Sequence, residues 1–380
     1  MKIDYVIVQK EENLFTSFPS VVSLDGNKVL VAFREAGEKS VNAAKKNTPS
    51  HHDNDSRICV LASEADGQSF LSAKKKIVLI AQHGFNDPAL TKLKDGTILL
   101  RSIEIQVETT QDRNKLASTL LAHRPDLGTV SGNLGLTLQR SYDKGESWSQ
   151  PEIISVDGDF EWFSRDAISE LEDGTWVLPV YKSSGFNAEK AYVIRSFDKG
   201  KTWGDVALLA EDKNGTRSMF RGVNYNEVCV LNLGMGRLMA MIRSDSSYQS
   251  ESDQYMAIGG TGELTQAFSE NAGLSWTYPE HTGIFGQPAN IIKLKNGKIL
   301  CTYGYRKSPF AVKACLSNDE GKTWDTLNTI TIKESCPFWD MGYPMSVQRE
   351  DGKIVTVYYW NDENKTRYVE MAIWDNNLIQ

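Results

Sequence analysis

A carboxylate and a guanidinium group stand at the two ends of one predicted hairpin. Glu227 enters an apolar strand, a glycine-containing turn follows, and Arg243 ends the second apolar strand. Because a hairpin folds back on itself, its ends lie at the same edge of a sheet, and we expect Glu227 and Arg243 to be neighbours. Such a pair is either a structural salt bridge or part of a site that transfers protons and binds anions. The rest of the chain favours the second interpretation.

The turn of this hairpin is one member of a repeat. Asp-Gly and Asn-Gly pairs supply the positive φ that tight hairpins need, and an apolar strand follows each of these turns. One hairpin indicates little, but six of them, at intervals of roughly 55 to 80 residues, indicate an array of similar units. The turns are Leu24–Gly26, Leu93–Gly96, Leu171–Gly174, Leu233–Gly236, Leu294–Gly297 and Arg349–Gly352.

A second signature, Ser-x-Asp-x-Gly-x-(Ser/Thr)-(Trp/Phe), follows each of the first five turns. An aspartate that caps its own turn, a glycine and a packed aromatic ring make a self-contained turn, so we expect a structural role for these boxes. They are Ser141–Trp148, Ser196–Trp203 and Ser317–Trp324, with Asn271 replacing the aspartate in Ser269–Trp276 and a degenerate copy at Ser63–Phe70.

The two signatures together predict the fold. Each repeat contains two hairpins, or about four strands, which is the blade of a β-propeller. The sequence therefore predicts an all-β, six-bladed β-propeller that occupies residues 1–380 as a single domain, with Tyr5–Val8 pairing with the last blade. We expect the polar segment Glu38–Asp55 to form a long loop inside the first blade.

Composition excludes several classes of partner and cofactor. The net charge of −7 offers no footprint for nucleic acid or an anionic membrane, and no apolar run is long enough to span a membrane. The five cysteines are widely spaced and the five histidines show no ligand spacing, so we expect no disulfide framework and no metal site. The N-terminal residues lack a signal peptide, which predicts a cytoplasmic protein if Met1 is the native start.

Aligning the six hairpins on their turns brings polar residues to equivalent places. Core strands should be apolar there, so the pattern predicts that these residues converge on one pocket. About eight residues before the turn stand Ser17, Asp87, Arg165 with Asp166, Glu227, Pro288 and Tyr343. About eight residues after it stand Arg34, Tyr181, Arg243 and Tyr359, with Arg306 slightly later and Arg101 slightly earlier.

The chain resembles the sialidase (neuraminidase) superfamily from end to end. The boxes identify the fold better than the reaction, but three local matches are sharper. Asn226-Glu227 with Arg243 is similar to the base and second arginine of sialidases, and Tyr305-Arg306 is similar to the segment with the third arginine. Gly342–Ser346 resembles the segment that carries the tyrosine nucleophile.

This resemblance implies a mechanism without a cofactor. Tyr343 would attack the sugar, Glu227 would take the phenol proton, and an aspartate would protonate the leaving oxygen. Asp53 and Asp55 are both candidates for that aspartate, and the offset from Ser63 favours Asp53. Arg243 and Arg306 would hold an anionic group of a glycan substrate.

The resemblance fails at the first arginine. Its Arg-Ile-Pro motif aligns with Ser17–Pro19, and the glutamate that supports that arginine aligns with Tyr359. Arg34 is a possible substitute from the neighbouring strand or a structural ion-pair partner. Asp87 and Asp166 either contact substrate or orient the arginines, and Arg165 is a further candidate for contacting substrate.

Three functions are consistent with these residues. The first is an exo-acting glycoside hydrolase of the sialidase clan, which cleaves a terminal and acidic, sialic-acid-like sugar. The second is a non-catalytic glycan-binding propeller. The third is an exo-hydrolase of a neutral sugar, similar to an exo-arabinanase, in which two of Asp87, Asp166 and Glu227 are the catalytic pair.

Overall fold

The computed structural model describes residues 2–118, 120–182, 189–212, 223–246 and 262–375. These residues form 25 strands, one α-helix and three short 3-10 turns, arranged in six antiparallel sheets. Six sheets, each led by one of the predicted hairpins, confirm the predicted fold class, an all-β six-bladed β-propeller. No helix among the described residues is long and apolar enough to cross a membrane.

The first strand of the chain, β1 (Ile3–Gln9), joins the last sheet rather than the first, as predicted from Tyr5–Val8. The first sheet contains β2 (Phe15–Ser23), β3 (Val29–Ala36), β4 (Arg57–Ala62) and β5 (Lys76–Leu79). The second sheet contains β6 (Gly84–Lys92), β7 (Ile98–Thr109), β8 (Leu120–Arg124), β9 (Thr129–Ser141) and β10 (Glu152–Ile154). The third sheet contains β11 (Ser169–Glu170), β12 (Trp176–Lys182), β13 (Lys190–Ser196) and β14 (Gly204–Ala210).

The remaining sheets have the same order of strands. The fourth contains β15 (Val223–Gly234), β16 (Arg237–Ser246), β17 (Glu263–Ser269) and β18 (Glu280–Phe285). The fifth contains β19 (Ala289–Lys293), β20 (Ile299–Tyr305), β21 (Ala311–Ser317) and β22 (Ile330–Glu334). The sixth contains β23 (Gly342–Gln348), β24 (Ile354–Asn361) and β25 (Arg367–Trp374), and β25 also pairs with β1.

The chain divides into two compact units. Unit 1 comprises residues 1–163, 308–310 and 334–380, and unit 2 comprises residues 164–307 and 311–333. In unit 1 the strand β2 packs against β6, β23 and β24, and in unit 2 the strand β15 packs against β12 and β19. The predicted hairpins supply residues to the core of their unit. In unit 1, for example, Val29, Val31, Val355 and Val357 are fully buried. Tertiary packing therefore fixes the hairpins that carry the predicted site residues.

The Asp-boxes form the predicted turns. In the box that begins at Ser196, Asp198 Oδ1 accepts hydrogen bonds from the Ser196 hydroxyl and the Thr202 amide, and Oδ2 accepts one from the Thr202 hydroxyl. The Trp203 indole N–H donates to the carbonyl of Gly200. These hydrogen bonds lower the pKa of Asp198 to about 2. This box is thus a local turn that is held by a charged acceptor.

The prediction that Glu38–Asp55 forms a loop is wrong for the first part of this segment. It begins with an α-helix, α1 (Glu38–Lys45), whose buried face of Val41, Ala43 and Ala44 packs with Phe15 and Ala36. Polar residues on the exposed face of this short helix hide its periodicity in the sequence.

We predict that Asp198→Ala destabilises the protein in a pH-dependent manner. A carboxylate whose folded-state pKa is depressed contributes stability that is present above its unfolded value of about 4 and is lost as the pH falls through about 2. The melting temperature of the variant should therefore lie below that of the wild type at neutral pH, and the gap should narrow in acid.

The matched control is Asn271→Ala, because Asn271 makes the equivalent hydrogen bonds to Ser269 and Ser275 without a charge. This change should cost about 1 kcal/mol at every pH. An Asp198→Ala effect that is equally independent of pH would refute the role of the charge.

Candidate active site

In four of the six sheets, the first strand contains a residue other than glycine that has a positive φ. These residues are Phe18 (50°), Asp87 (44°), Glu227 (43°) and Tyr343 (51°). At each of them the pairing with the next strand skips a residue, so each lies in a β-bulge. The backbone of a residue other than glycine is strained at a positive φ, and such strain is characteristic of functional positions. The structure therefore gives three predicted site residues the same unusual backbone, and Phe18 is their counterpart in the first sheet rather than Ser17.

Tyr343 lies in unit 1 in an aromatic cluster. Its side chain is buried, with the ring centroid 4.8 Å from that of Phe18 and 5.7 Å from that of Tyr359. The Phe18 ring is in turn 5.0 Å from the imidazole of His51. The predicted nucleophile thus stands beside two aromatic rings, one of which also contacts a histidine.

A buried carboxylate, Asp340, organises the surroundings of this cluster. Asp340 Oδ1 accepts a hydrogen bond of 2.6 Å from the Tyr359 hydroxyl, and Oδ2 lies 2.6 Å from Arg367 Nη1 and 2.9 Å from His51 Nε2. Asp340 and Arg367 have almost no exposed surface. The ion pair is therefore buried, and both charges depend on each other for compensation.

Asp53 and Asp55 lie on the loop that follows α1, but in different environments. Asp53 is buried, and its Oδ2 accepts a hydrogen bond from the Ser40 hydroxyl. Burial, followed by the charge of Asp55, raises the pKa of Asp53 above its ordinary value. Asp55 is exposed and accepts a hydrogen bond from the amide of Gly37. The raised pKa of Asp53 suits a general acid.

The loop is held from both sides. The Asn54 side chain donates to the carbonyl of Val107 at 2.7 Å and accepts from its amide at 2.8 Å, in the manner of a strand partner. His52 Nδ1 lies 2.8 Å from the Ser131 hydroxyl, and burial lowers the pKa of His52 to about 3. Gly84 lies so close to the carbonyl of Asp53 that a Cβ there would clash with it. The second sheet thus fixes the position of Asp53.

Arg34 is fully buried beneath this loop. Burial lowers the pKa of its guanidinium group to about 10, against the opposing charges of Asp53, Asp55 and Asp87. Among the residues that the structure describes, none forms a hydrogen bond with its three side-chain nitrogens. Asp87 lies in the bulge described above, and its carbonyl accepts a hydrogen bond of 2.7 Å from Arg101 Nη1. Arg34 therefore acts on nearby carboxylates through its charge, without exposed surface.

The second group of predicted residues lies in unit 2. Glu227 Oε2 is 2.7 Å from Arg243 Nη1, which confirms that the two ends of this hairpin are neighbours. Arg243 Nε is also 2.8 Å from Asp245 Oδ2, and Asp245 Oδ1 accepts a hydrogen bond from Gln287. Burial raises the pKa of Asp245, while the charges of Arg243 and, to a smaller extent, Arg306 oppose the shift. Arg243 is therefore already paired with two carboxylates.

A further carboxylate, Glu189, completes this group. Its Oε2 accepts a hydrogen bond of 2.5 Å from the Asn226 side chain, and burial raises its pKa. The charges of Asp245 and Glu227 raise it further, while that of Arg243 lowers it. Three acidic side chains thus accompany Arg243.

Arg165 and Asp166 make structural contacts. Arg165 Nη1 donates to the carbonyl of Ala289 at 2.6 Å, and Asp166 Oδ2 accepts from the amide of Val230 at 3.1 Å. Both side chains are buried, and burial raises the pKa of Asp166. These contacts favour the interpretation that Arg165 and Asp166 brace neighbouring strands.

Sequence reasoning missed several residues of these groups. His51, Asp340 and Arg367 in unit 1, and Glu189 and Asp245 in unit 2, lie away from the hairpin positions used in the alignment. The one signal in the sequence was the spacing of Arg243 and Asp245, which lie two residues apart on one strand and therefore on the same face of the sheet. Among the described residues, no group of three or more histidine, cysteine or acidic side chains could hold a metal ion.

Residues 67–356 match the family described as BNR repeat-like domain. The chain belongs to this family. A search of the curated proteins found no match. Membership of the BNR repeat-like family confirms the resemblance predicted from the Asp-boxes.

Solved structures show the same fold. A protein of unknown function from Dyadobacter fermentans is 24% identical, with a TM-score of 0.82, and the alignment covers 99% of this chain and 98% of that one. The Hadza microbial sialidase Hz136 is 18% identical (TM-score 0.63; 96% and 66% covered), and the NanB sialidase from Streptococcus pneumoniae is 11% identical (TM-score 0.65; 98% and 70% covered). At these identities the likeness shows the fold alone.

We predict that Asp340→Asn destabilises the protein by about 3 kcal/mol, because it leaves the Arg367 guanidinium buried without a counter-charge. Urea unfolding at neutral pH measures this cost. The double variant Asp340→Asn/Arg367→Met should lose less than the sum of the two single variants. Additive losses would show that the two charges do not compensate each other.

Proposed function

We propose that this chain is an exo-acting glycoside hydrolase of the sialidase clan. The observation that supports it most is the shared positive-φ bulge at Glu227 and Tyr343, the residues that the sialidase resemblance makes base and nucleophile. Strained backbone is retained where it positions reacting groups. Family membership and the sialidases among the structural neighbours support the same class of reaction.

The proposed reaction has two steps. Tyr343 Oη attacks the anomeric carbon as Glu227 accepts the phenol proton, the glycosidic bond breaks, and Asp53 gives its proton to the leaving oxygen. Water then attacks the same carbon and gives a proton to Asp53, while Tyr343 leaves and recovers its proton from Glu227. The raised pKa of Asp53 supports its role as the acid, and Asp55, exposed and bound to Gly37, is the weaker candidate.

The sugar we propose first is a terminal, acidic one, because Arg243 and Arg306 suit a carboxylate. A neutral sugar is the second candidate, and a specific observation favours it. Arg243 already pairs with Glu227 and Asp245, and Arg34 has no exposed surface. An anionic group would therefore have to compete with carboxylates already present in the protein.

We predict that Tyr343→Phe and Glu227→Gln each lower kcat by about a hundredfold or more, because each change removes a group that acts in the transition state. Purified protein is assayed with fluorogenic aryl glycosides of N-acetylneuraminic acid and of neutral sugars such as L-arabinofuranose, which also separates the two candidate substrates.

The matched controls are Tyr142→Phe and Glu12→Gln, both at exposed positions, which should retain full activity. Absence of turnover with every glycoside, combined with binding of a glycan, would favour a non-catalytic propeller instead. Full activity of Tyr343→Phe would contradict the proposed nucleophile.

We predict that Asp53→Asn impairs hydrolysis of glycosides with poor, alkyl leaving groups far more than that of activated aryl glycosides, because only the former need protonation. In the wild type, activity on alkyl glycosides should fall as the pH rises through the raised pKa of Asp53. This alkaline limb should be absent from the pH profile of Asp53→Asn. Asp55→Asn is the control, and a larger loss in that variant would assign the acid to Asp55.

A further inference from the structure

His51 is a candidate for a role that the sequence did not suggest. It lies two residues before Asp53 on the loop after α1, and its ring stands edge-on to Phe18 at 5.0 Å. Phe18 in turn contacts Tyr343 with its ring at 4.8 Å. His51 thus contacts the same aromatic ring as the proposed nucleophile and lies on the same loop as the proposed acid, and about 29% of its side chain is exposed.

The contact with Asp340 fixes the tautomer of His51. A carboxylate only accepts hydrogen bonds, and Asp340 remains a carboxylate because Arg367 pairs with it in the core. His51 Nε2, at 2.9 Å from Asp340, therefore carries the ring proton. In the neutral imidazole this leaves Nδ1 with a lone pair. The contact of His51 with Asp340 thus makes Nδ1 a hydrogen-bond acceptor.

The partner of that acceptor is not found in the part of the chain that the structure describes, where the only hydrogen bond of the His51 side chain goes through Nε2. Arg34 and Arg367 both lie over the ring of Phe15, whose centroid is 6.3 Å from that of His51. Because Nε2 is engaged by Asp340, Nδ1 is the ring nitrogen that is left to accept a hydrogen bond.

We propose that His51 is a further substrate-contacting residue, whose Nδ1 accepts a hydrogen bond from a hydroxyl group of the bound sugar. This inference rests on the proposed glycoside hydrolase function. It adds a requirement for a hydroxyl donor on the sugar, a group that acidic and neutral sugars share. Asp340 is then a positioning residue, which acts through His51.

Two substitutions separate this role from a structural one. In His51→Gln the amide nitrogen takes the place of Nε2 and keeps the contact with Asp340, but the acceptor at Nδ1 is lost. In His51→Asn the amide oxygen takes the place of Nδ1, but the contact with Asp340 is lost. We expect kcat/KM on the best aryl glycoside to fall about tenfold in His51→Gln and less in His51→Asn. The opposite order, with His51→Gln close to the wild type, would show a purely structural role.

A second measurement does not depend on turnover. Long-range 1H–15N spectra of histidine-labelled Tyr343→Phe protein report the protonation of each ring nitrogen, with His51→Gln to assign the signal and His281→Gln as the exposed control. We expect a proton on Nε2 alone, and a shift of the Nδ1 signal when N-acetylneuraminic acid, D-galactose or L-arabinose is added. A proton on Nδ1, or binding that leaves this signal unchanged, would overturn the inference.

The outcomes also distinguish the inference from the function on which it rests. Turnover by the wild type with an unaffected His51→Gln variant would leave the hydrolase standing and remove the role of His51. A sugar-dependent Nδ1 shift in a protein that hydrolyses none of the glycosides would support the contact and refute hydrolysis. Failure of all three sugars to bind, with no turnover, would overturn both.

Discussion

The candidate site depends on a backbone constraint, the β-bulge in the first strand of four sheets. In each bulge one residue other than glycine adopts a positive φ, which is unfavourable and persists only where the surrounding ladder enforces it. Proline follows three of these residues, at Pro19, Pro88 and Pro344. Proline has no N–H to donate, so it fits a bulge, where the regular ladder of hydrogen bonds is interrupted. The bulges thus turn an acid, a phenol or an aromatic ring away from the regular alternation of the strand.

The loop that carries Asp53 depends on a different kind of support. It has little secondary structure of its own, and its position comes from Asn54 on Val107, His52 on Ser131 and His51 on Asp340. These contacts reach the second sheet and the segment of unit 1 just before β23. The long hairpin of β7 and β9 therefore does more than enlarge its sheet, because its edge provides the backbone that the loop binds. The proton donor that we propose, Asp53, would need this rigidity, since its distance to the leaving group decides whether the proton can be transferred.

The sequence predicted the fold almost completely and the site only in part. Turns such as Leu93–Gly96 and boxes such as Ser196–Trp203 are local, so their geometry can be read from a few adjacent residues. The pairing of Glu227 with Arg243 could also be predicted, because one hairpin joins them. The contacts of His51 with Asp340 and of Asn54 with Val107 join residues far apart in the chain, and no local pattern encodes them. The same is true of α1, whose helical state comes from packing against Phe15.

The departure from sialidases at the first arginine has a physical explanation within unit 1. The register pairs Ser17, where the resemblance places an arginine, with Arg34 on the adjacent strand. Residues paired across a ladder point to the same face, so a guanidinium group occupies this face from the neighbouring strand. It lies fully buried and faces the charges of Asp53, Asp55 and Asp87.

The supporting carboxylate is displaced in the same way. Tyr359 stands where the resemblance places a glutamate, and its hydroxyl donates to Asp340, which supplies the negative charge instead. Asp340 pairs with Arg367 and His51 rather than with Arg34. An arginine and a carboxylate are therefore both present near these positions, but they do not pair with each other. The charges around Asp340 therefore hold residues of the protein itself, namely Arg367 and His51.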